Sequence, residues 1–133
     1  MTFLSGGVAT ADPLVDTTFY DRQLGATLIP IGLAAQKQAT ASYDATGWQS
    51  AKNPAAWFDT AYYLQHNQDV AAAQLNPLLH FETYGWKEGR DPSAQFSTQR
   101  YLGAYSDVKA ARMDPLLHYV QYGQSEGRTA FSA

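Results

Sequence analysis

The sequence predicts an all-α fold, built as an array of about three short-helix repeats that share one core. The main observation is internal duplication: residues 58–90 align with residues 96–128 at an offset of 38 residues, and 17 of the 33 aligned positions are identical. An offset of this length falls in the range of helical repeat proteins. β-branched residues are few and no segment alternates over a useful length, so no strand pattern competes with the helical interpretation.

The repeat pattern predicts how the chain is organised. We expect a flexible leader over 1–11, a single repeat domain over 12–128 with units at about 15–57, 58–95 and 96–128, and a short tail over 129–133. The first unit is a degenerate copy with about five extra residues, which include Thr27-Leu28-Ile29-Pro30-Ile31-Gly32. Because one repeat cannot cover all of its apolar residues alone, we expect the first unit to cover the open end of the second, with this insertion as part of the cap.

Three helices are predicted from their start signals. Asp16, Asp59 and Ser97 each follow an apolar residue and precede aromatic residues. Such side chains accept hydrogen bonds from the free N–H groups of a first helical turn. In the first unit, the Ala- and Gln-rich segment 33–42 predicts a further helix.

The second and third units each contain a later helix with its own start and stop signals. Asn76 and Asp114 are the expected N-caps, and each is followed by proline at the first helical position. Gly85 and Gly123 are the expected stops, and we predict that both adopt the left-handed conformation that glycine accepts at little cost.

Composition excludes several classes of function. The net charge is −3, only 16% of residues are charged, and no basic patch is visible, so nucleic acid is not an expected partner. The absence of cysteine excludes disulfides, thiolate metal sites and a cysteine nucleophile. No apolar run approaches the roughly 18 residues of a membrane span. The N-terminus does not have the pattern of a cleavable signal peptide.

Histidines and ion-pairing residues recur at equivalent positions. His80 and His118 could be metal ligands or bases, but we expect each to pack inside its own unit and to bond a backbone carbonyl. Glu88 with Arg90, and Glu126 with Arg128, could be recognition groups, but we expect structural ion pairs that fix the loop after the glycine. Together with Gly85 and Gly123, these residues form the structural signature of the repeat.

No motif for catalysis or metal binding is present. The aspartates are scattered, mostly at positions where helix caps are expected, whereas a calcium loop needs several oxygen ligands close in sequence. There is no nucleophile elbow, no phosphate-binding glycine loop and no zinc-protease motif. We therefore predict no catalytic residues, no metal site and no cofactor.

Aromatic residues that the repeat does not require are the best candidates for binding. Trp57 and Trp86 align with Gln95 and Gln124 in the next unit, so the fold does not demand an aromatic side chain there. With Tyr84 and Arg90, they are the candidate binding residues. Exposed tryptophan and tyrosine rings of this kind could stack on sugar rings.

The repeat pattern also resembles a known module. The pattern combines an aromatic residue with Asp, Tyr-Leu, then Asp-Val, then Pro-Leu-Leu-His, then Tyr-Gly-x-x-Glu-Gly-Arg. It resembles a repeat of large secreted bacterial proteins of the RTX, or haemolysin-type calcium-binding, class, which also flanks the catalytic domains of some bacterial glycosyltransferases. The resemblance covers roughly residues 12–128 and is most specific over 58–128. The Gly-Gly-x-Gly-x-Asp nonapeptides that bind calcium in RTX proteins are absent, so the calcium function does not carry over.

The resemblance implies an accessory module in a secreted or cell-surface bacterial protein. The leading hypothesis is therefore a non-catalytic structural or protein-interaction module, whose partners are other domains of a larger secreted protein or a cell-surface protein. A glycan-binding module that uses exposed tryptophan and tyrosine is the first alternative. A small enzyme of unknown reaction is the second.

Overall fold

A computed structural model describes residues 10–133, and the first nine residues of the expected leader lie outside this range. The described residues form helices and turns with no β-strand, which confirms the all-α prediction. The chain divides into two compact units, one ending at Ala56 and the other running from Trp57 to Ala133. The second compact unit begins one residue before the start that the repeat pattern predicts for the second repeat, residue 58.

The first compact unit contains one repeat. Its helices are α1 (Thr17–Gln23), α2 (Leu33–Ser42), a π-helix (Tyr43–Gly47) that continues α2, and a 3₁₀ turn (Trp48–Ser50). Asp16 caps α1 by accepting a hydrogen bond from the Phe19 N–H, as predicted. The buried apolar side chains of this unit are Leu14, Val15, Tyr20, Ala35, Ala39 and Tyr43.

The second compact unit contains two repeats with matching elements. The first repeat consists of α3 (Thr60–His66), α4 (Gln68–Ala72), α5 (Pro77–His80) and a π-helix (Phe81–Gly85). The second consists of α6 (Thr98–Ala104), α7 (Ser106–Ala111), α8 (Pro115–His118) and a π-helix (Tyr119–Gly123). The predicted caps are all present: Asp59, Asn76, Ser97 and Asp114 accept hydrogen bonds from backbone N–H groups of the helices that they precede.

The two repeats of the second unit pack through aromatic rings. Within the earlier repeat, Phe58 and Tyr63 are fully buried, with ring centroids 5.4 Å apart. Between the repeats, the Trp57 ring meets the edge of Tyr119 at 5.0 Å. The two repeats of this unit are therefore in contact through this pair of rings.

Each repeat is closed on itself by one backbone hydrogen bond. The N–H of Asp59 donates to the Pro92 carbonyl at 3.0 Å, and the N–H of Asp16 donates to Pro54 at 2.9 Å. In the last repeat, the N–H of Ser97 donates to Phe131 at 2.8 Å. The expected tail is thus part of the last repeat, since it supplies the closing carbonyl.

The insertion in the first unit leaves two aliphatic side chains almost fully exposed. Leu28 is 91% exposed and Ile31 is 87% exposed. Gly25 and Gly32, at the two ends of the segment, have φ of 88° and 100°, which favours glycine. The segment is therefore an exposed aliphatic loop.

Gly85 and Gly123 end their π-helices, but not in the predicted conformation. Neither has positive φ, and the left-handed glycines are instead Gly89 and Gly127, four residues later. The reason for glycine at the helix end is space. A Cβ on Gly85 would collide with the Tyr63 hydroxyl, and a Cβ on Gly123 would collide with the equivalent tyrosine hydroxyl.

Candidate functional site

An arginine at the end of each repeat in the second unit is held by two carboxylates. The Arg90 guanidinium makes a bidentate pair with Asp69, both bonds 2.8 Å long, and its Nε contacts Glu88 at 2.9 Å. It also donates to the Asn67 side chain at 3.1 Å. The hydrogen bond from Arg90 lowers the pKa of Asp69 to about 2. We call this cluster of Arg90, Asp69 and Glu88 an arginine clamp.

The last repeat contains the same clamp. Arg128 pairs with Asp107 through two bonds of 2.9 and 2.8 Å, and its Nε contacts Glu126 at 2.9 Å. Its guanidinium carbon also lies 4.7 Å from the centroid of the Tyr105 ring. The two glutamates were predicted as partners, but the aspartates were not. The sequence could have indicated these aspartates, because in both repeats the aspartate of an Asp-Val pair lies 21 residues before the arginine.

The histidines pack inside their own repeats, but their partner is a tyrosine. Tyr63 Oη lies 2.8 Å from His80 Nδ1, and Tyr101 Oη lies 2.9 Å from His118 Nδ1. The expected bond to a backbone carbonyl is therefore replaced by a bond to a buried hydroxyl. Burial lowers the pKa of His80, which disfavours the charged imidazolium. In the first unit, the serine at the position of these histidines bonds the equivalent tyrosine hydroxyl.

A cleft beside Trp86 contains the most distinctive chemistry on the surface of the second unit. It encloses about 420 Å³ and is lined by Trp86, Lys87, Leu102, Lys109 and Arg112. The residues come from both repeats: the first two follow the π-helix that ends at Gly85, and the others belong to α6, α7 and the residue after α7. We call this feature the Trp86 cleft.

The Trp86 ring is fixed at the edge of this cleft. Its indole N–H donates to the Glu82 carbonyl one turn earlier, at 3.0 Å. Lys87 Nζ lies 5.7 Å from the centroid of the same ring, within cation–π range. The side chain is half-buried, so part of its ring remains available to a ligand. This exposure is consistent with the prediction that the fold does not require an aromatic residue here.

The other candidate binding residues lie elsewhere. Trp57 is half-buried against Tyr119 in the contact between the repeats. Arg90 is occupied by its clamp. Tyr84 is 59% exposed and borders a separate depression of about 310 Å³ that Leu75 and Leu79 also line. The structure thus does not gather the predicted binding residues into one site.

Residues 10–133 contain neither a cluster of metal ligands nor a helix suited to crossing a membrane. No group of three or more histidine or carboxylate side chains in that range is arranged to hold a metal ion. None of the helices described there combines the length and the apolar character that a membrane crossing requires.

Comparisons with known proteins identify no relative. No protein-family model matches the chain, and no curated protein or solved structure does so either.

Proposed function

We propose that the chain is a non-catalytic interaction module of a larger secreted or cell-surface bacterial protein. The observation that carries the proposal is the aliphatic loop of the first unit. Leu28 and Ile31 are almost fully exposed, and Leu33, which begins α2, is 61% exposed. Contiguous exposed apolar residues of this kind often mark a site of protein–protein interaction.

The composition of this loop favours a protein partner with an apolar groove. No charged residue occurs between Arg22 and Lys37. The left-handed glycines at its two ends set the loop apart from the helices that flank it. Meanwhile, the polar groups most suited to chemistry are bonded within the repeats, as in the arginine clamps and the tyrosine–histidine pairs. The repeats therefore supply a scaffold, and the loop supplies the contact.

Photo-cross-linking in cells that make the protein tests this function. A photoreactive amino acid at position 33, which is 61% exposed, should yield a discrete cross-linked product, and the same group at exposed Gln49 should not. The double substitution Leu28→Asp and Ile31→Asp should abolish that product without lowering the unfolding midpoint, because these side chains bury little area. Unaltered cross-linking by the double variant, or its unfolding, contradicts the proposal.

A second candidate function is glycan binding, which the Trp86 cleft favours. An aromatic ring in a pocket with charged donors is a common arrangement for carbohydrate recognition, since the ring stacks on the apolar face of a sugar. A glycan array probed with the purified protein tests this candidate. Binding should disappear in the Trp86→Gln variant, and an array without any binding signal contradicts it.

A further inference from the structure

We propose that the Trp86 cleft binds an anionic saccharide, whose sugar rings carry carboxylate or sulfate groups. The inference rests on the glycan-binding candidate, because it names the ligand class of the same cleft. Three features support it: the charge of the lining, the type of hydrogen-bonding groups and the size of the cleft.

The charge of the lining is unusual for this chain. The protein has nine lysine and arginine residues and a net charge of −3, yet three of the nine cations line this one cleft. Within residues 10–133, no carboxylate forms an ion pair with Lys87, Lys109 or Arg112. Three unneutralised cations at one cleft repel one another, and an anionic ligand relieves that repulsion.

The lining combines cationic donors with an apolar surface that suits a sugar ring. The charged side chains of the lining are donors, and the one carboxylate at the edge, Glu88, is occupied by Arg90. Carboxylate or sulfate groups on a saccharide accept from these donors, as the carboxylates of an acidic peptide also would. Trp86 and Leu102 supply an apolar surface against which the C–H face of a sugar ring can pack.

The volume of the cleft suits a short saccharide. About 420 Å³ lies in the lower part of the range of roughly 300–1,000 Å³ that ligand pockets occupy. The cleft also continues past Gly89 and Gln99, so a second sugar ring has a path along the surface.

The test is a titration followed by the indole N–H resonances in ¹⁵N-resolved NMR. The probes are a trisaccharide of galacturonic acid, the corresponding neutral trisaccharide of galactose, and a short glutamate peptide. We expect the acidic trisaccharide to shift the Trp86 resonance and to bind less tightly as salt rises. Trp48 is an internal control, because its indole N–H bonds the Asp44 carbonyl in the same way as Trp86 bonds Glu82.

The third repeat provides matched variants. Trp86→Gln with Lys87→Ser installs the residues that the next repeat carries at the same positions, Gln124 and Ser125, so the fold accepts them. Because this variant lacks the Trp86 resonance, its affinity is measured by titration calorimetry, where it should bind the acidic trisaccharide at least about fivefold more weakly than the unaltered protein. Arg112→Gly should weaken binding by roughly two- to fivefold without unfolding the protein, since Arg112 has a left-handed φ of 52°. Trp48→Gln should leave the affinity unchanged.

Three other results of this titration would overturn the inference. Equal binding of the neutral and acidic trisaccharides overturns this inference and leaves glycan binding standing. Binding of neither saccharide overturns both. Tight binding of the glutamate peptide that survives the Trp86→Gln and Lys87→Ser changes overturns the inference in favour of a peptide ligand.

Discussion

Replacement of Gly85 by alanine tests the packing of the repeat most directly. Gly85 lies at the end of a π-helix, with the buried Tyr63 hydroxyl directly against its Cα. A Cβ at this position would overlap that hydroxyl and would lie 3.3 Å from the tyrosine Cζ. Tyr63 is fully buried, and its hydroxyl bonds His80 Nδ1 at 2.8 Å, so it has little freedom to move away.

The expected cost follows from three contributions. Overpacking a filled core costs roughly 1–3 kcal/mol. Displacement of the hydroxyl weakens its bond to His80, which is worth about 1 kcal/mol. Replacing glycine by alanine inside a helix offsets part of this cost, because alanine is more stable there by roughly 0.5–1 kcal/mol. We therefore expect Gly85→Ala to lower the free energy of unfolding by about 1–3 kcal/mol.

A double-mutant cycle isolates the clash. Tyr63→Phe removes the hydroxyl, so Gly85→Ala in that background should cost close to nothing, and the coupling energy should be about 1–3 kcal/mol. The assay is urea unfolding followed by circular dichroism. The matched control is Gly103→Ala in α6, where a Cβ has no neighbour within 4 Å and should stabilise by roughly 0.5–1 kcal/mol.

Two results would refute this reasoning. One is a Gly85→Ala variant as stable as Gly103→Ala. The other is an undiminished cost of Gly85→Ala when Tyr63 is already phenylalanine, which would mean that the hydroxyl does not set the requirement for glycine.

Three further predictions follow from other sites. Arg90 lowers the pKa of Asp69 to about 2, whereas the unfolded-state pKa is about 3.9. The clamp therefore stabilises the fold above about pH 3.9, and this stability is lost as pH falls towards 2. Unfolding midpoints between pH 5 and pH 2 should therefore drop less steeply in Asp69→Asn. The buried Ser93 hydroxyl has no hydrogen-bond partner among residues 10–133, so Ser93→Ala should raise the free energy of unfolding by up to about 1 kcal/mol. Arg112 has a left-handed backbone conformation, which glycine adopts at less cost than arginine. Arg112→Gly should therefore raise the free energy of unfolding by about 1 kcal/mol or leave it unchanged, as measured by chemical unfolding.

The sequence was informative wherever a local signal determines local structure. A side chain that caps a helix bonds a backbone two or three residues away, so Asp59, Asn76 and Ser97 could be identified from their neighbours alone. The all-α class followed in the same way from helix signals and the repeat offset. The Glu88–Arg90 pair is also local and was expected.

The contacts that the sequence did not reveal join distant residues. Asp69 lies 21 residues before Arg90, and Tyr63 lies 22 residues before Gly85, so no local rule connects either pair. The conformation of Gly85 was predicted wrongly for this reason. Glycine near a helix end usually signals a left-handed residue, but here a side chain from another helix excludes a Cβ. The Trp86 cleft likewise depends on how α6 and α7 approach the preceding repeat.

The divergence between repeats indicates where function can reside. Positions that serve the fold are the same in both repeats of the second unit, including the tyrosine–histidine pair, the glycine and the arginine clamp. Trp86 and Lys87 differ from Gln124 and Ser125, although both pairs follow the same π-helix and precede the same clamp. Since the backbone accepts either pair, the repeat fold does not require an indole and an ammonium group at the cleft, although Trp48 in the first unit makes the same indole N–H bond as Trp86. The anionic saccharide that we propose for the cleft would use both groups.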